Sequence, residues 1–174
     1  MESIEILGID PGSQRTGWGI IRDKSGVLEL VDCGIIRTKP ADSFSVRLSQ
    51  IYRELCAAIA RCQPGACAVE QVFSGRNPAT ALKLGQARGA AIAACAAYGL
   101  EVFDYEPTLV KKAVTGGGRA EKEQVAFMVS RLLNLGKKRL ALDTTDALAV
   151  AICHAGSRRL FELGACRDRG AEAS

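Results

Sequence analysis

The chain has 174 residues, 48% hydrophobic and 24% charged, and its 23 Lys and Arg against 19 Asp and Glu leave a formal charge of +4. These proportions exclude disorder and fibrous repeats, and the length suits one domain better than two. The most apolar stretch, residues 89–100, falls well short of the ~20 residues a membrane-spanning helix needs. Glu2 and Glu5 give the N-terminus none of the basic start of a secretory leader, so a cytoplasmic protein is expected. Its seven cysteines then read as reduced thiols, buried as small hydrophobes, with no second pair to complete a zinc site. A single domain over residues 1–174 is expected, with a polar, flexible tail from about 165.

Residues 4–9 are mostly apolar, the pattern of a buried strand, and Asp10-Pro11-Gly12 ends it with turn chemistry. Residues 16–21 predict a second strand and Asp23-Lys24-Ser25-Gly26 a hairpin turn. Residues 27–38 predict a third strand, in which Gly34 marks a bulge. Phe44, Leu48, Ile51, Leu55, Ile59 and Cys62 recur at helical spacing, with Asp42 or Ser43 as cap and Pro64-Gly65 as stop. Residues 66–69 form a short apolar strand that runs into Glu70. Asn77-Pro78 has the cap-then-proline order of a helix start, and that helix extends to Tyr98. Val102-Phe103 predicts a fifth strand. Pro107 opens a short helix broken at Gly116-Gly117-Gly118, and residues 121–133 are amphipathic through Val125, Met128, Val129 and Leu132. A last helix begins near Leu142 and ends before a frayed tail beyond Gly164. The order β-β-β-α-β-α-β-α-α-α implies an α/β fold with a mixed sheet and helices on its faces.

Asp10 and Glu70 each follow directly on an apolar strand. If those strands are parallel neighbours, both carboxylates emerge at the carboxyl edge of the sheet, where open α/β sheets bind ligands. Asp143 and Asp146 share one face at the start of the last helix. Taken singly, Asp10 serves equally as a turn residue, and the two helical acids as partners of the helix dipole. As a set of four, with His154 the sole histidine and no Ser–His arrangement, they point to a hard cation, Mg²⁺ or Mn²⁺ rather than zinc. Two such ions ~4 Å apart clamp the attacking and leaving oxygens of a phosphodiester displacement.

Basic residues lie where such a substrate needs them. Residues 111–139 hold eight bases (Lys111, Lys112, Arg119, Lys122, Arg131, Lys137, Lys138, Arg139) against Glu121 and Glu123. That segment is +6, which leaves −2 for the rest, a distribution suited to a polyanion held over an acidic pocket. The three glycines at 116–118 are no P-loop, since no Gly-Lys-Ser/Thr follows. Phe73, just beyond Glu70, either stacks on bases or packs under its loop.

Several blocks resemble the RuvC family of bacterial Holliday-junction resolvases. They are Ile6-Leu7-Gly8-Ile9-Asp10-Pro11-Gly12 with Thr16-Gly17-Trp18-Gly19, Val69-Glu70-Gln71-Val72-Phe73, Leu84-Gly85-Gln86-Ala87-Arg88-Gly89 and Asp143-Thr144-Thr145-Asp146-Ala147-Leu148-Ala149. The resemblance implies an RNase H-like fold, a five-stranded mixed sheet flanked by α-helices. It implies a homodimeric endonuclease of recombination and repair that nicks opposed strands of a four-way DNA junction, leaving 5′-phosphate and 3′-hydroxyl ends. Asp10, Glu70, Asp143 and Asp146 match its catalytic acids and would hold two Mg²⁺ per subunit, with Mn²⁺ as substitute. Phe73 matches its junction-wedging aromatic, with Ser74 where many members carry a second one. Lys111 and Lys122 match basic residues near the cut, Lys122 offsetting developing phosphate charge. Arg76, Lys112 and Arg119 join them as candidate DNA contacts. The Ala- and Gly-rich helix from Pro78 packs either across a two-fold axis or wholly against its own sheet. The family also implies a branch-migration helicase complex, RuvA–RuvB, as partner. Rival readings are a phosphotransferase of the actin-like fold, a junction-binding protein with a dead site, and a nuclease of structured RNA.

Overall fold

The computed structural model describes residues 3–71, 77–136 and 138–171. The chain opens with a meander of three strands, β1 (Ile4–Asp10), β2 (Arg15–Lys24) and β3 (Val27–Arg37), each antiparallel to the one before. Ser25 and Gly26 both have positive φ, 53° and 94°, and Lys24 pairs with Val27. This is a two-residue turn whose twist matches the strands, and the Asp23 carboxylate accepts from the Gly26 N–H at 2.9 Å. Helix α1 (Phe44–Cys62) then crosses to β4 (Ala66–Glu70), parallel to β1. Of the two expected caps, Ser43 acts: its side chain accepts from the Val46 N–H. Helix α2 (Pro78–Ala97) starts as the sequence predicts, with Asn77 Oδ1 accepting from the N–H groups of Ala79 and Thr80. It leads to β5 (Val102–Tyr105), parallel to β4. Three helices close the chain: α3 (Pro107–Thr115), α4 (Lys122–Leu132) and α5 (Leu142–Ala171).

The strand order is β3-β2-β1-β4-β5, a mixed sheet with a core on each face. Alternation along the strands sorts the side chains. Leu7, Ile9, Trp18, Ile20, Cys67 and Val69 face α1 and α2, packing against Ile51, Leu55 and Ala91. Ile6, Ile21 and Ala68 face α3, α4 and α5, packing against Val129, Leu148 and Ala151. Helix α5 is buried on all sides from Ala147 through Cys153, which makes it the central helix of that face.

Glycines in β1 and β2 let α5 approach the sheet closely. A Cβ on Gly8 would lie 2.1 Å from the Ala147 carbonyl oxygen, and one on Gly17 would lie 1.9 Å from that of Asp143. Both obstacles are backbone, so only glycine fits there. The first turn of α5 is thereby seated directly on β1 and β2.

Three expectations are corrected. The β2–β3 irregularity falls between Ile20 and Ile21, which pair with Asp32 and Leu30, so Val31 is the extra residue rather than Gly34. Gly34 instead makes room for the Trp18 indole, which a Cβ would meet at 2.9 Å. The last helix runs on to Ala171, past Gly164. Of the cysteines, Cys67, Cys95 and Cys153 are buried thiols, but Cys33, Cys56 and Cys62 are only half-buried, since they sit on the rims of the two cores.

Candidate active site

Asp10 is the last residue of β1 and Glu70 the last of β4. Their strands pair in parallel with Ile9 opposite Val69, so the two carboxyl groups emerge side by side one residue later. Parity places both on the face covered by α5, as Ile6 and Ala68 in the same strands show. Asp143, in the first turn of α5, and Asp146, at the start of its second, come down to them. Asp10 pairs across the sheet with Gly17, on which the Asp143 carbonyl rests, so one contact positions acids from two elements.

Cations meet this cluster. Lys122, the first residue of α4, donates from Nζ to Asp146 Oδ2 at 3.2 Å. Arg15, at the start of β2, places Nη1 3.8 Å from Asp143 Oδ2. The carboxyl of Asp10 is pushed up to about 7, first by burial, then by Glu70, Asp146 and Asp143, with Lys122 opposing them. Glu70 is also raised, by burial and by Asp146, while Lys122 and Lys111 pull it down. Lys122 is raised by its hydrogen bond to Asp146. Asp10 therefore feels the other three acids and Glu70 feels Asp146, the electrostatic mark of acids forced together.

Among the described residues no three acidic, histidine or cysteine side chains converge as a formed metal-ligand group. Asp146 and Asp143 turn instead toward Lys122 and Arg15. The donor set nonetheless suits a hard divalent cation. It consists of carboxylate oxygens only, and the burial and mutual repulsion that raise Asp10 and Glu70 are what such a cation would offset. His154 takes no part: it is buried, with Nδ1 2.8 Å from the Tyr105 hydroxyl.

Beneath the cluster, the turn from Pro11 to Arg15 is held on both sides. Thr16 Oγ1 donates to the Gly12 carbonyl at 2.8 Å, and Thr38 Oγ1 donates to that of Ser13 at 2.9 Å. The Arg47 guanidinium, 8% exposed, donates to Thr38 Oγ1 and to the same Ser13 carbonyl. Sequence reasoning missed Arg15, Thr16, Thr38 and Arg47. Only the alternating Gly17-Trp18-Gly19 signalled a strand built for close approach.

The other sequence candidates separate. Lys111, in α3, is near enough to lower Glu70. Lys112 and Arg119 are exposed on α3 and the segment behind it, and neither is among the groups that shift Asp10 or Glu70. Phe73, Ser74 and Arg76 lie outside the described residues.

The family model described as crossover junction endodeoxyribonuclease RuvC matches residues 6–154. The chain belongs to the RuvC family. It is 58% identical over 164 residues to a crossover junction endodeoxyribonuclease RuvC of Oleidesulfovibrio alaskensis, covering 94% of this chain and 98% of that one. A second, from Nitratidesulfovibrio vulgaris (Hildenborough), is 56% identical and covers 92% and 96%. The solved structure of Thermus thermophilus RuvC in complex with Holliday junction substrate superposes with a TM-score of 0.85 at 34% identity, over 90% of this chain and 96% of that one. The RNase H-like fold that the sequence blocks implied is the fold observed, with its five-stranded mixed sheet flanked by helices.

Proposed function

We propose that this RuvC-family chain is a crossover junction endodeoxyribonuclease that resolves four-way DNA in recombination and repair. It nicks two opposed strands symmetrically and leaves 5′-phosphate and 3′-hydroxyl ends. The observation that carries this is the placement of Asp10 and Glu70 at one sheet end, near enough to Asp143, Asp146 and Lys122 to feel their charges, in a chain so similar to nucleases of that name.

Asp10, Glu70, Asp143 and Asp146 would hold two Mg²⁺, or Mn²⁺ in their place. When bound, such ions supply Lewis-acid polarisation and neutralise phosphate charge. The chain's own groups do the rest. Lys122 brings a fixed positive charge against Asp146, where it offsets charge developing on the scissile phosphate. Lys111 adds a second positive charge beside Glu70. Lys112 and Arg119 extend the positive surface outward, and Phe73 and Arg76 follow Glu70 closely enough in sequence to reach the same DNA. Arg47 and Thr38 keep the turn after Asp10 from shifting when the substrate binds.

Paired nicking needs two sites, and α2 supplies a surface for pairing. Its inner face, Ala87, Ala91, Ala94 and Cys95, is buried against the sheet. Its outer stripe, Leu82, Gly85, Gly89, Ala93 and Ala96, is exposed and nearly all small or apolar. A second copy packed on that stripe would place two identical sites about a two-fold axis. The reading includes a cytoplasmic location and a branch-migration complex, RuvA–RuvB, that delivers the junction. Among the described residues no helix is long and apolar enough to cross a membrane.

The test is incubation of the protein with a synthetic four-way junction and a matched linear duplex, with Mg²⁺ and with EDTA. Paired symmetric nicks in the junction alone, and with metal alone, are expected. Tight junction binding without a cut in either Mg²⁺ or Mn²⁺ would leave a binding protein with a dead site instead.

A further inference from the structure

Helix α4 leaves the active site at Lys122 and carries a groove away from it. The groove has a volume of about 910 Å³ and runs between α4, the segment leading to α5 and the first turn of α5. Leu142 and Thr145 line its near end, and they are the sequence neighbours of the catalytic candidates Asp143 and Asp146. Phe127, Arg131, Lys138 and Arg139 line the remainder together with small and apolar residues such as Leu135 and Leu140, and Glu123 is the single acid among the described lining residues. Phe127 is 59% exposed, unusual for so large an apolar side chain beside a charged groove. The Arg131 guanidinium lies over its ring, 5.6 Å from the centroid.

We propose that this groove is a phosphate track, which grips a duplex arm of the same junction beside the cut, with Phe127 as the positioning residue of Arg131. The inference rests on the nuclease reading above. Three observations support it. The groove adjoins the site, since Glu123, Leu142 and Thr145 on its wall are the sequence neighbours of Lys122, Asp143 and Asp146. Its charge is strongly positive against one acid, which suits a polyanion. Its length also fits. From Lys122 to Arg131 the helix advances about 13 Å at 1.5 Å per residue, or about four base steps at 3.4 Å each. A strand whose scissile phosphate lies over the acids therefore carries later phosphates past Arg131. A guanidinium held over an aromatic ring has already given up part of its freedom, and it keeps its fork of donors for a phosphate.

The test compares Arg131→Ala and Phe127→Leu with the unaltered full chain. Binding of a labelled four-way junction is measured in EDTA at several salt concentrations, and nicking is then measured with Mg²⁺. Arg131→Ala is expected to weaken binding about 3- to 10-fold and to lower the salt slope by about 1. Phe127→Leu keeps the charge, so it is expected to weaken binding about 2- to 3-fold with the slope retained. Both losses fall on the half-saturating junction concentration rather than on the rate at saturation. Unaltered affinity and slope in Arg131→Ala would overturn the track, and would hand the groove to another anionic occupant such as an acidic protein segment. A Phe127→Leu variant that binds as tightly as the original would overturn the positioning role. Failure of the nuclease reading looks different: the unaltered chain would then neither prefer nor nick the junction.

Discussion

Burial, together with Glu70, Asp146 and Asp143, holds the Asp10 carboxyl near 7 in the folded chain, against 3.8 for an unperturbed one. Between those values the native state keeps a proton that the unfolded chain has released, so metal-free stability falls as pH rises through that window. Asp10→Asn removes the charge. In EDTA it is expected to melt higher than the unaltered protein above pH 7, by a few kcal/mol, and to lose that advantage as the pH falls toward 4. Melting curves across that range check it, and a variant that is less stable at every pH would make Asp10 a structural residue. Nicking by the same variant should fall by at least about 100-fold. The acids were legible in the sequence because each interrupts an apolar pattern at an element end, where a carboxylate has no packing reason to be. Arg15 and Arg47 were not. Arg15 carries no local signal, because its partner Asp143 is remote in the chain. Arg47 sits early in an amphipathic helix, where a charge reads as solvent-facing. Its burial follows from the carbonyl of Ser13 and the hydroxyl of Thr38, which only the fold brings together.

Helix α5 carries half of the acids, and its seat on β1 and β2 depends on the glycines beneath it. Gly17→Ala would drive a Cβ into the backbone carbonyl of Asp143, which has no side-chain freedom to yield, so the helix must lift at its first turn. Overpacking of this kind costs about 1–3 kcal/mol. The loss of nicking is expected to exceed what that destabilisation explains at assay temperature, because the displaced turn carries Asp143 and runs directly into Asp146. Thermal melts and nicking rates on the same preparation separate the two effects; a rate that merely tracks the folded fraction would contradict the seating. At this scale the sequence was readable where periodicity and caps agreed, as at Asn77-Pro78 and through α1. It misled at Gly34, because glycine in a strand marks either a bulge or a close neighbour, and the neighbour here is the Trp18 ring across the sheet.

The whole molecule divides its labour between the two faces of one sheet. The face under α3, α4 and α5 holds the acids and the cations around them. The opposite face holds α1 and α2, whose outer stripe is the surface proposed for pairing. Gly89 has open space around it, and glutamate is a better helix former than glycine, so Gly89→Glu should leave each subunit at least as stable. Two such charges facing across the proposed two-fold axis would repel, and sedimentation should show monomer where a dimer is expected of the unaltered chain. Nicks in opposed strands would then become uncoupled. Unchanged sedimentation would place the pairing surface elsewhere. The α/β order and the mixed character of the sheet were legible because hairpin turns and helix crossovers leave few topologies open. Which face of α2 turns outward was not, since alanine and glycine suit a buried face and a pairing face equally.

The claim that joins these scales is that four carboxylates from β1, β4 and α5 act as one site for a divalent cation. Melting temperature followed through a Mg²⁺ titration at pH 8 tests it most directly, on the unaltered chain and on Asp10→Asn and Asp146→Asn. Binding to the native state alone must raise the melting temperature as Mg²⁺ increases. A four-acid site predicts a clear rise in the unaltered chain and a rise much reduced in both variants, one altered on a strand and the other on the helix. The same rise in all three proteins would contradict it.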